Sequence, residues 1–279
     1  MKINGWRYYN HAAIPTTLPH EHPDISPIED GSIWKLDGSP LLARWTTDFD
    51  CGYETNWWYI IKDTPFDISA LKAKRRYEIN KGVKNFEAIV IDPTNYGEEL
   101  YSVQIAAFSA YPPKYRPTVD KKAFMDNVQN WKQYIVIGAF CRESDELCGY
   151  ALLRKESDNY IGFSVLKTNP RHEKNGVNAA LVEAIMREFD PLLSSGGYIC
   201  DGARSINHET AFQDYLEKYF GFRKAYCRLH VEYNPKLKWL MKLLFCARKL
   251  LSKLDGIGIV HSLNSILRME EICRNEDPK

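Results

Sequence analysis

The chain has 279 residues, 44% of them hydrophobic and 26% charged, which is the composition of an ordinary globular protein. Its 37 basic against 36 acidic side chains leave a net charge of +1, which excludes the overall basicity of a dedicated nucleic-acid-binding protein. Seven scattered cysteines without a C-x-x-C pair argue against a disulfide framework and a zinc site, so we expect no metal. We recognise no secretory signal and no apolar run of membrane-spanning length, so we expect a cytoplasmic protein.

The first 66 residues form an aromatic-rich segment that we predict to consist of loops and short strands. Residues 15–40 are rich in Pro, His, Asp and Ser, which is typical of an irregular loop. Strands are predicted at 41–46 and 57–62, where β-branched and aromatic residues cluster. Five early side chains are of metal-binding types, but their spacing fits no zinc pattern and favours a polar loop: His11, His20, Glu21, His22 and Asp24.

The central part of the chain contains a regular succession of elements. A helix is predicted over 67–82, with Asp67 or Ser69 capping its start and Gly82 ending it. Periodicity then predicts strands at 86–91, 134–141, 148–154, 160–166, 198–200 and 224–233. It also predicts helices at 96–111, 121–131, 177–189 and 211–220. Hairpins followed by β-α-β crossovers imply an α/β or α+β fold with a mixed, mostly antiparallel sheet and helices on both faces.

This element order resembles that of the GNAT acyltransferases, and three local segments support the resemblance. Residues 162–170 look like that fold's fourth strand, which splays from its neighbour and holds the donor's pantetheine arm with backbone N–H groups. Residues 175–182 stand where the pyrophosphate loop opens the next helix, and 211–222 look like the penultimate helix with its closing Gly-Phe. The resemblance implies donor contacts at six residues: Leu166, Lys167, Thr168, Gly176, Val177 and Asn178.

A second resemblance is to the Fem-type peptidoglycan aminoacyltransferases within the same superfamily. Residues 72–82, KAKRRYEINKG, look like the basic helix that opens their transferase domain. Residues 216–221, LEKYFG, are similar to their late aromatic-Gly signature. Together the two resemblances imply an enzyme that uses acyl-CoA or aminoacyl-tRNA as donor. The implied acceptor is an amine or hydroxyl of an amino sugar or of a cell-envelope or polysaccharide precursor, either small or lipid-linked.

The pyrophosphate loop departs from the acetyl-CoA pattern of Gln or Arg, then Gly, then Gly or Ala. Here these positions are Glu173, Gly176 and Asn178. A carboxylate repels phosphate, and the Asn178 side chain stands where the backbone must approach the donor closely. The departures disfavour acetyl-CoA and favour either an aminoacyl-tRNA donor or a degenerate site.

Acyl transfer to an amine needs a base for the ammonium proton and an acid for the leaving group. His208 follows the fifth strand of the implied fold and is either the base or part of a helix-capping loop. Asp201 ends that strand and either holds the acceptor or only terminates the strand. The family's acid is a Tyr four residues before the helix-ending Gly, and this position is Glu217 here. Tyr219 is therefore the candidate acid, with simple packing as the alternative.

Two basic segments are candidate partner sites. Lys74, Arg75, Arg76 and Lys81 suit phosphate on tRNA, a nucleotide sugar or a carrier lipid, unless they only form a solvated helix face. Residues 236–254 carry six positive charges and no acid. Apolar residues fall on one helical face of this segment: Leu237, Leu240, Met241, Leu244, Ala247, Leu251 and Leu254. Such a helix either lies on the inner face of an anionic membrane or packs on the transferase domain.

The predicted organisation is an N-terminal segment at 1–66, packed on a transferase domain at 67–235, followed by basic amphipathic helices at 236–279. The leading hypothesis is an acyl- or aminoacyl-transferase. The alternative is a GNAT-fold module that has lost catalysis and binds a nucleotide, a carrier lipid or a protein. A third alternative, an unrelated α/β binding protein, requires the element order to be a coincidence.

Overall fold

The computed structural model describes residues 1–113, 116–206, 211–254 and 258–276. The chain forms two compact units, each assembled from separate stretches of sequence. Unit 1 comprises residues 1–59, 203–210 and 224–279, and unit 2 comprises residues 60–202 and 211–223. The first and last parts of the chain therefore belong to the same unit.

The strands within the described residues are β1 (Trp6–Tyr9), β2 (Ala12–Pro15), β3 (Leu42–Thr47), β4 (Trp57–Lys62), β5 (Phe86–Ile91), β6 (Ile135–Cys141), β7 (Leu147–Ser157), β8 (Tyr160–Thr168), β9 (Tyr198–Ala203) and β10 (Arg223–Tyr233). The α-helices are α1 (Ser26–Glu29), α2 (Ala73–Asn85), α3 (Gly97–Ser109), α4 (Lys121–Val128), α5 (Val177–Glu188), α6 (Asp190–Ser194), α7 (Ala211–Phe220), α8 (Lys238–Cys246), α9 (Arg248–Leu251) and α10 (Gly258–Glu276). Short 3₁₀ turns connect several of them.

Unit 1 contains a mixed sheet. Strand β1 pairs antiparallel with β2, β2 pairs parallel with β3, and β3 pairs antiparallel with β10. One buried cluster centres on Trp6, Ile33 and Ala43, and another on Trp57 and Leu229. Met269 of α10 belongs to the second cluster, so the last helix contributes to the core of this unit.

Unit 2 contains the hairpin series that the sequence predicts. Strands β5, β6, β7 and β8 pair antiparallel in that order, and β9 joins β8 in parallel. Leu181 of α5 approaches Gly149 of β7, whereas Gln104 of α3 bonds to the neighbouring Tyr150. Since successive strand residues point to opposite faces, α3 and α5 cover opposite faces of the sheet. The predicted fold class is confirmed.

The α2 region differs from its prediction. The 67–82 helix is split into a 3₁₀ turn at Ile68–Ala70, capped by Asp67, and α2, which starts only at Ala73. Gly82 does not end α2, which continues to Asn85. Gly82 lies inside the helix because another backbone segment approaches it too closely for a side chain, as described below.

The sequence pattern did not predict several short elements or the division of the C-terminal helices. Strands β1 and β2 have four residues each, too few for a clear alternation. The predicted 236–254 helix is divided into α8, α9 and a 3₁₀ turn, and α10 follows it. Among the residues that the structure describes, no helix is both long and apolar enough to span a bilayer.

Candidate functional site

Strands β8 and β9 separate along their length and leave a cleft between them. They pair only at Tyr160–Gly162 with Tyr198–Cys200. Beyond this point β8 stays paired with β7, where Ser164 is an extra residue that bends the strand as a β-bulge. The cleft has a volume of about 460 Å³. We call it the donor cleft, and its lining residues are Phe163, Ser164, Val165, Leu166, Lys167, Thr168, Glu173, Asn178, Asp201 and Phe212.

The start of α5 forms one end of the donor cleft. A 3₁₀ turn over Pro170–Asn175 leads to Gly176, which has a φ of 91° and allows the chain to enter the helix. The first N–H groups of a helix have no partner within it, and together with the helix dipole they favour an anion. The segment predicted to meet the donor's phosphates thus has the required backbone.

Two side chains modify this helix start. The Thr168 hydroxyl donates to Oδ1 of Asn178 at 3.0 Å, which ties the end of β8 to the first turn of α5. Thr168 is only 6% exposed, so this bond is shielded from water. Glu173 is exposed and adds a negative charge to the cleft wall. The structure places both residues at this helix start, where the sequence predicts that they disfavour a pyrophosphate.

Helix α2 supports the loop that precedes α5. Gly82 faces Gly176, and a Cβ on Gly176 would come within 2.8 Å of the Gly82 Cα. The Lys81 ammonium donates to the carbonyl of Lys174 at 2.6 Å, and the Asn85 amide donates to the carbonyl of Asn175 at 3.0 Å. These contacts fix the loop against α2. The Lys81 ammonium is thereby engaged by the Lys174 carbonyl.

Asp201 is the acidic group of the cleft with a shifted pKa. Burial raises the pKa of its carboxyl to about 7, and the hydrogen bond from Gln213 Nε2 to Oδ2, at 3.2 Å, partly opposes that shift. Helix α7 supplies Gln213 and also Phe212. The Phe212 ring packs edge-on against the Phe163 ring, with the ring centroids 5.7 Å apart. Asp201 can therefore exchange a proton near neutral pH.

A second cavity adjoins the donor cleft and shares Ser164, Val165 and Lys167 with it. Its volume is about 350 Å³, and we call it the amide pocket. Its other lining residues are mostly amides and aromatic rings: Gln104, Phe124, Asn127, Trp131, Gln133, Tyr134, Tyr150 and Leu152. Inside it the Tyr150 hydroxyl donates to Oε1 of Gln104 at 2.6 Å. Sequence reasoning missed this pocket because its residues come from four separate segments of the chain.

The six residues predicted to hold the donor have different environments. Leu166, Lys167, Thr168 and Asn178 line the donor cleft, whereas Val177 is fully buried in the core. The Lys167 ammonium lies 4.9 Å from the Phe108 ring centroid and 5.7 Å from that of Tyr111, so two aromatic rings position it. Gly176 provides the turn into α5.

Tyr219 and His208 were predicted as acid and base. Tyr219 packs against Tyr215, with ring centroids 4.9 Å apart, and does not line the donor cleft. His208 lies outside the described residues. Their catalytic roles stay predictions.

The cations predicted on α2 separate into two kinds. Arg76 donates to the carbonyls of Ser69 and Leu71, at 3.1 and 2.7 Å, and so closes the turn before the helix. Lys81 supports the α5 loop, as described above. Lys74 is exposed and Arg75 partly exposed, which leaves these two accessible to an anionic partner.

Glu146, Cys148 and His172 form a small cluster whose ligand atoms lie within 4.8 Å of one another. Burial raises the pKa of the Cys148 thiol to about 12, which keeps it protonated. The Glu146 carboxylate lies 3.9 Å from His172 Nε2. This contact joins the β6–β7 turn to the loop before α5.

Comparison with known proteins confirms the fold class. The arrangement is the one that the sequence resemblance implied: three antiparallel strand pairings, a parallel strand β9 that splays from β8, and helix α5 after the end of β8. The fold is GNAT-like. No protein-family profile matches the chain, and no curated protein matches it.

Solved structures of three kinds align with the chain. A conserved protein of unknown function from Bacteroides thetaiotaomicron has 11% identity and a TM-score of 0.52, covering 79% of this chain and 78% of its own. The C-terminal domain of a putative lysylphosphatidylglycerol synthetase from Agrobacterium fabrum has 11% identity and a TM-score of 0.49, with coverages of 86% and 82%. A GCN5-related N-acetyltransferase from Kribbella flavida has 9% identity and a TM-score of 0.44, with coverages of 80% and 81%. At these identities the alignments concern the fold alone.

Proposed function

We propose that this protein is an acyl- or aminoacyl-transferase whose donor binds between β8 and β9. The observation that carries the proposal is the splayed strand pair with Asp201 in its wall. The free backbone groups of a splayed strand can hold an extended donor and donate hydrogen bonds to the reacting carbonyl. A carboxyl that titrates near pH 7 in the same cleft is suited to take the proton from an attacking ammonium group.

The amide pocket supports an acceptor with many neutral hydrogen-bonding groups, such as an amino sugar. Its amides, Gln104, Asn127 and Gln133, can donate to and accept from hydroxyl groups. Its rings, such as Trp131 and Tyr134, offer flat apolar faces to the C–H faces of a sugar. Lys167 is the one charged residue among its described lining residues, so the pocket suits a polar but largely uncharged group.

The donor that fits best is not a plain CoA thioester. Glu173 adds negative charge at the loop, and Asn178 places a side chain at the first turn of α5. Both features weaken pyrophosphate binding, whereas the acyl end of an aminoacyl-tRNA carries no pyrophosphate. The exposed Lys74 and Arg75 on α2 offer charge to a nucleic-acid backbone.

The alternative function is that of a GNAT-fold module that binds a nucleotide, a carrier lipid or a protein without catalysis. The Thr168–Asn178 hydrogen bond favours it, since this bond fills part of the space in which a donor phosphate would lie. Under this alternative a ligand binds but no acyl group moves. Turnover therefore separates the two functions.

Peripheral membrane contact is part of the proposal. The predicted apolar face of 236–254 is partly used for packing, since Met241 contacts the core of unit 1. Five large apolar side chains of the segment are left exposed: Trp239, Leu243 and Leu250 at 63%, 60% and 65%, and Leu240 and Leu254 of the predicted face at 37% and 49%. We call these five residues the exposed apolar stripe. The same segment carries six basic residues: Lys236, Lys238, Lys242, Arg248, Lys249 and Lys253.

The charge pattern around the exposed apolar stripe suits anionic lipid headgroups. Lys238 pairs with Glu232 and Arg248 pairs with Glu271, so two of the six cations are partly neutralised. A segment that combines exposed large apolar side chains with several lysines can couple apolar burial to headgroup attraction. This contact would bring the enzyme to a lipid-linked acceptor.

The proposal is tested by titrating the purified chain with aminoacyl-tRNA, acetyl-CoA and free CoA in a calorimeter, with glucosamine added in a parallel transfer assay. Binding of aminoacyl-tRNA with release of the amino acid to glucosamine supports the transferase. Asp201→Asn should reduce transfer by about 10²-fold or more, and the exposed Asp158→Asn should leave it unchanged. Donor binding without transfer to any amine would favour the binding module.

A further inference from the structure

Unit 1 contains a small cavity that the transferase proposal does not use. It has a volume of about 150 Å³. The proline-rich segment 15–23 forms one wall, and residues of β3 and β4 form much of the other. The residues important here are Glu21, Arg44, Trp45, Trp57 and Tyr59, all of which line it.

Arg44 brings a positive charge to this cavity without a carboxylate to balance it. Within the described residues no acid forms an ion pair with its guanidinium, and its side-chain contact is a long 3.7 Å approach to the Met269 sulfur. Glu21, the one acid in the described lining, accepts the backbone N–H of Leu18 instead. Burial lowers the pKa of Arg44, although an arginine stays charged at neutral pH.

Two acids of helix α10, among the side chains that the structure describes there, are engaged elsewhere. Glu270 pairs with Arg274, and Glu271 pairs with Arg248. A charge removed from water without a counter-ion is costly, so a partly buried unpaired guanidinium indicates a missing anion.

Trp57 adds an unused donor to the same wall. Its side chain is 3% exposed, and its indole Nε1 is buried with no acceptor among the described residues. Buried indole N–H groups normally have an acceptor, because an unsatisfied donor costs about 1–3 kcal/mol. Two residues that line this cavity therefore carry unused hydrogen-bonding capacity: Arg44 has no anion or oxygen acceptor, and Trp57 has no acceptor for its indole N–H, among the described residues.

We propose that this cavity binds a compact oxyanion, a carboxylate or a phosphate carried by a small molecule, through Arg44 and Trp57. The guanidinium fork matches two oxygens of either group. The aromatic wall of Trp45 and Tyr59 holds the apolar part of the ligand. A volume near 150 Å³ accommodates a group about the size of benzene, so the ligand or its bound end is small.

The test measures binding of four probes to the full chain by calorimetry at constant ionic strength: inorganic phosphate, glycerol 3-phosphate, acetate and benzoate. We expect at least one probe to bind the wild type. Binding of both inorganic phosphate and glycerol 3-phosphate identifies a phosphate site, whereas binding of acetate or benzoate identifies a carboxylate site. Failure of all four at millimolar concentrations overturns the inference.

Variants separate this site from nonspecific effects. Arg44→Gln should lower the affinity for the bound probe at least about tenfold. Trp57→Phe keeps the shape of the wall and should lower the affinity severalfold. The controls are Arg7→Gln, an exposed arginine of the same unit, and Trp239→Phe, an exposed tryptophan. Equal affinity in Arg44→Gln and wild type overturns the assignment. If Arg44→Gln fails to fold, Trp57→Phe with its control decides alone.

Discussion

Gly82 and Gly176 pack backbone against backbone, and this contact joins α2 to the loop that opens α5. A Cβ added to Gly176 would lie 2.8 Å from the Gly82 Cα, closer than real Cβ contacts. The loop in turn positions the helix start that lines the donor cleft. Two glycines 94 positions apart thus determine how closely the basic helix approaches the predicted donor-binding loop.

Gly82→Ala is predicted to destabilise the protein even though alanine favours helices. The gain in helix propensity is about 1 kcal/mol, whereas the added methyl group forces the two backbones apart at a cost of about 1–3 kcal/mol and displaces the loop. Chemical denaturation measures the change. Gly258→Ala is the control, because a Cβ there meets nothing within 4 Å, and it should be neutral or stabilising. A Gly82→Ala protein as stable as wild type, with unchanged donor binding, would contradict the contact.

Asp201 is predicted to make stability depend on pH in a definite direction. Its folded pKa is raised to about 7 from 3.8. Between about pH 4 and 7 the unfolded chain releases this proton and the folded chain retains it, so the free energy of unfolding falls as pH rises through that window. Each pKa unit corresponds to about 1.4 kcal/mol, so the total loss is a few kcal/mol at most.

Asp201→Asn removes this titrating group, and its unfolding free energy should lack that decline. The comparison requires denaturation curves of both proteins at several pH values between 4 and 8. Asp158→Asn, at an exposed turn, should keep the wild-type slope. Parallel curves for wild type and Asp201→Asn would place the pKa of Asp201 near its ordinary value and remove its suitability as a base.

The helix start of α5 is predicted to accept CoA better when its two unusual residues are replaced. Combining Glu173→Gln with Asn178→Gly removes a charge and a side chain, and leaves backbone N–H groups open to phosphate. We expect CoA affinity to rise about tenfold or more, measured by calorimetry. Glu188→Gln, at the other end of α5, changes the charge equally and should have no effect. Unchanged affinity in the double variant would mean that another feature excludes CoA.

The exposed apolar stripe is predicted to bind vesicles that contain anionic lipid. Sedimentation with phosphatidylglycerol vesicles should recover the wild type, and the fraction should fall with added salt. Leu243→Ser with Leu250→Ser should reduce binding strongly. Ile89→Ser with Val90→Ser alters two apolar residues of β5 that are 45% and 49% exposed, and is the control. Wild-type protein that stays in the supernatant, or equal loss in both double variants, would contradict membrane contact.

Much of the fold follows from local pattern. Buried residues of α5 such as Val177, Leu181 and Ala184 recur at helical spacing, and the hairpins around β7 have short polar turns, so the sequence pattern predicts both. The bounds of β5 and α7 agree with their predictions. The start of α5 is predictable because its motif, residues 175–182, is local.

The parts that sequence reasoning missed depend on residues far apart in the chain. Asp201 acquires its raised pKa from burial and from Gln213, which no spacing rule joins to it. The amide pocket combines Gln104 with residues from α4, β7 and β8, so no single segment of the sequence predicts it. Gly82 reads locally as a helix end, and only the approach of Gly176 explains its place inside the helix.

The most direct test of the central claim is the pH dependence of acyl transfer from aminoacyl-tRNA to glucosamine. With Asp201 as the base, the rate should rise about tenfold per pH unit below 7 and level off above it. Asp201→Asn should reduce the rate by about 10²-fold or more and remove the inflection, while Asp158→Asn keeps both. Transfer with the same inflection in Asp201→Asn would contradict the role of Asp201, and no transfer to any amine at any pH would contradict the transferase.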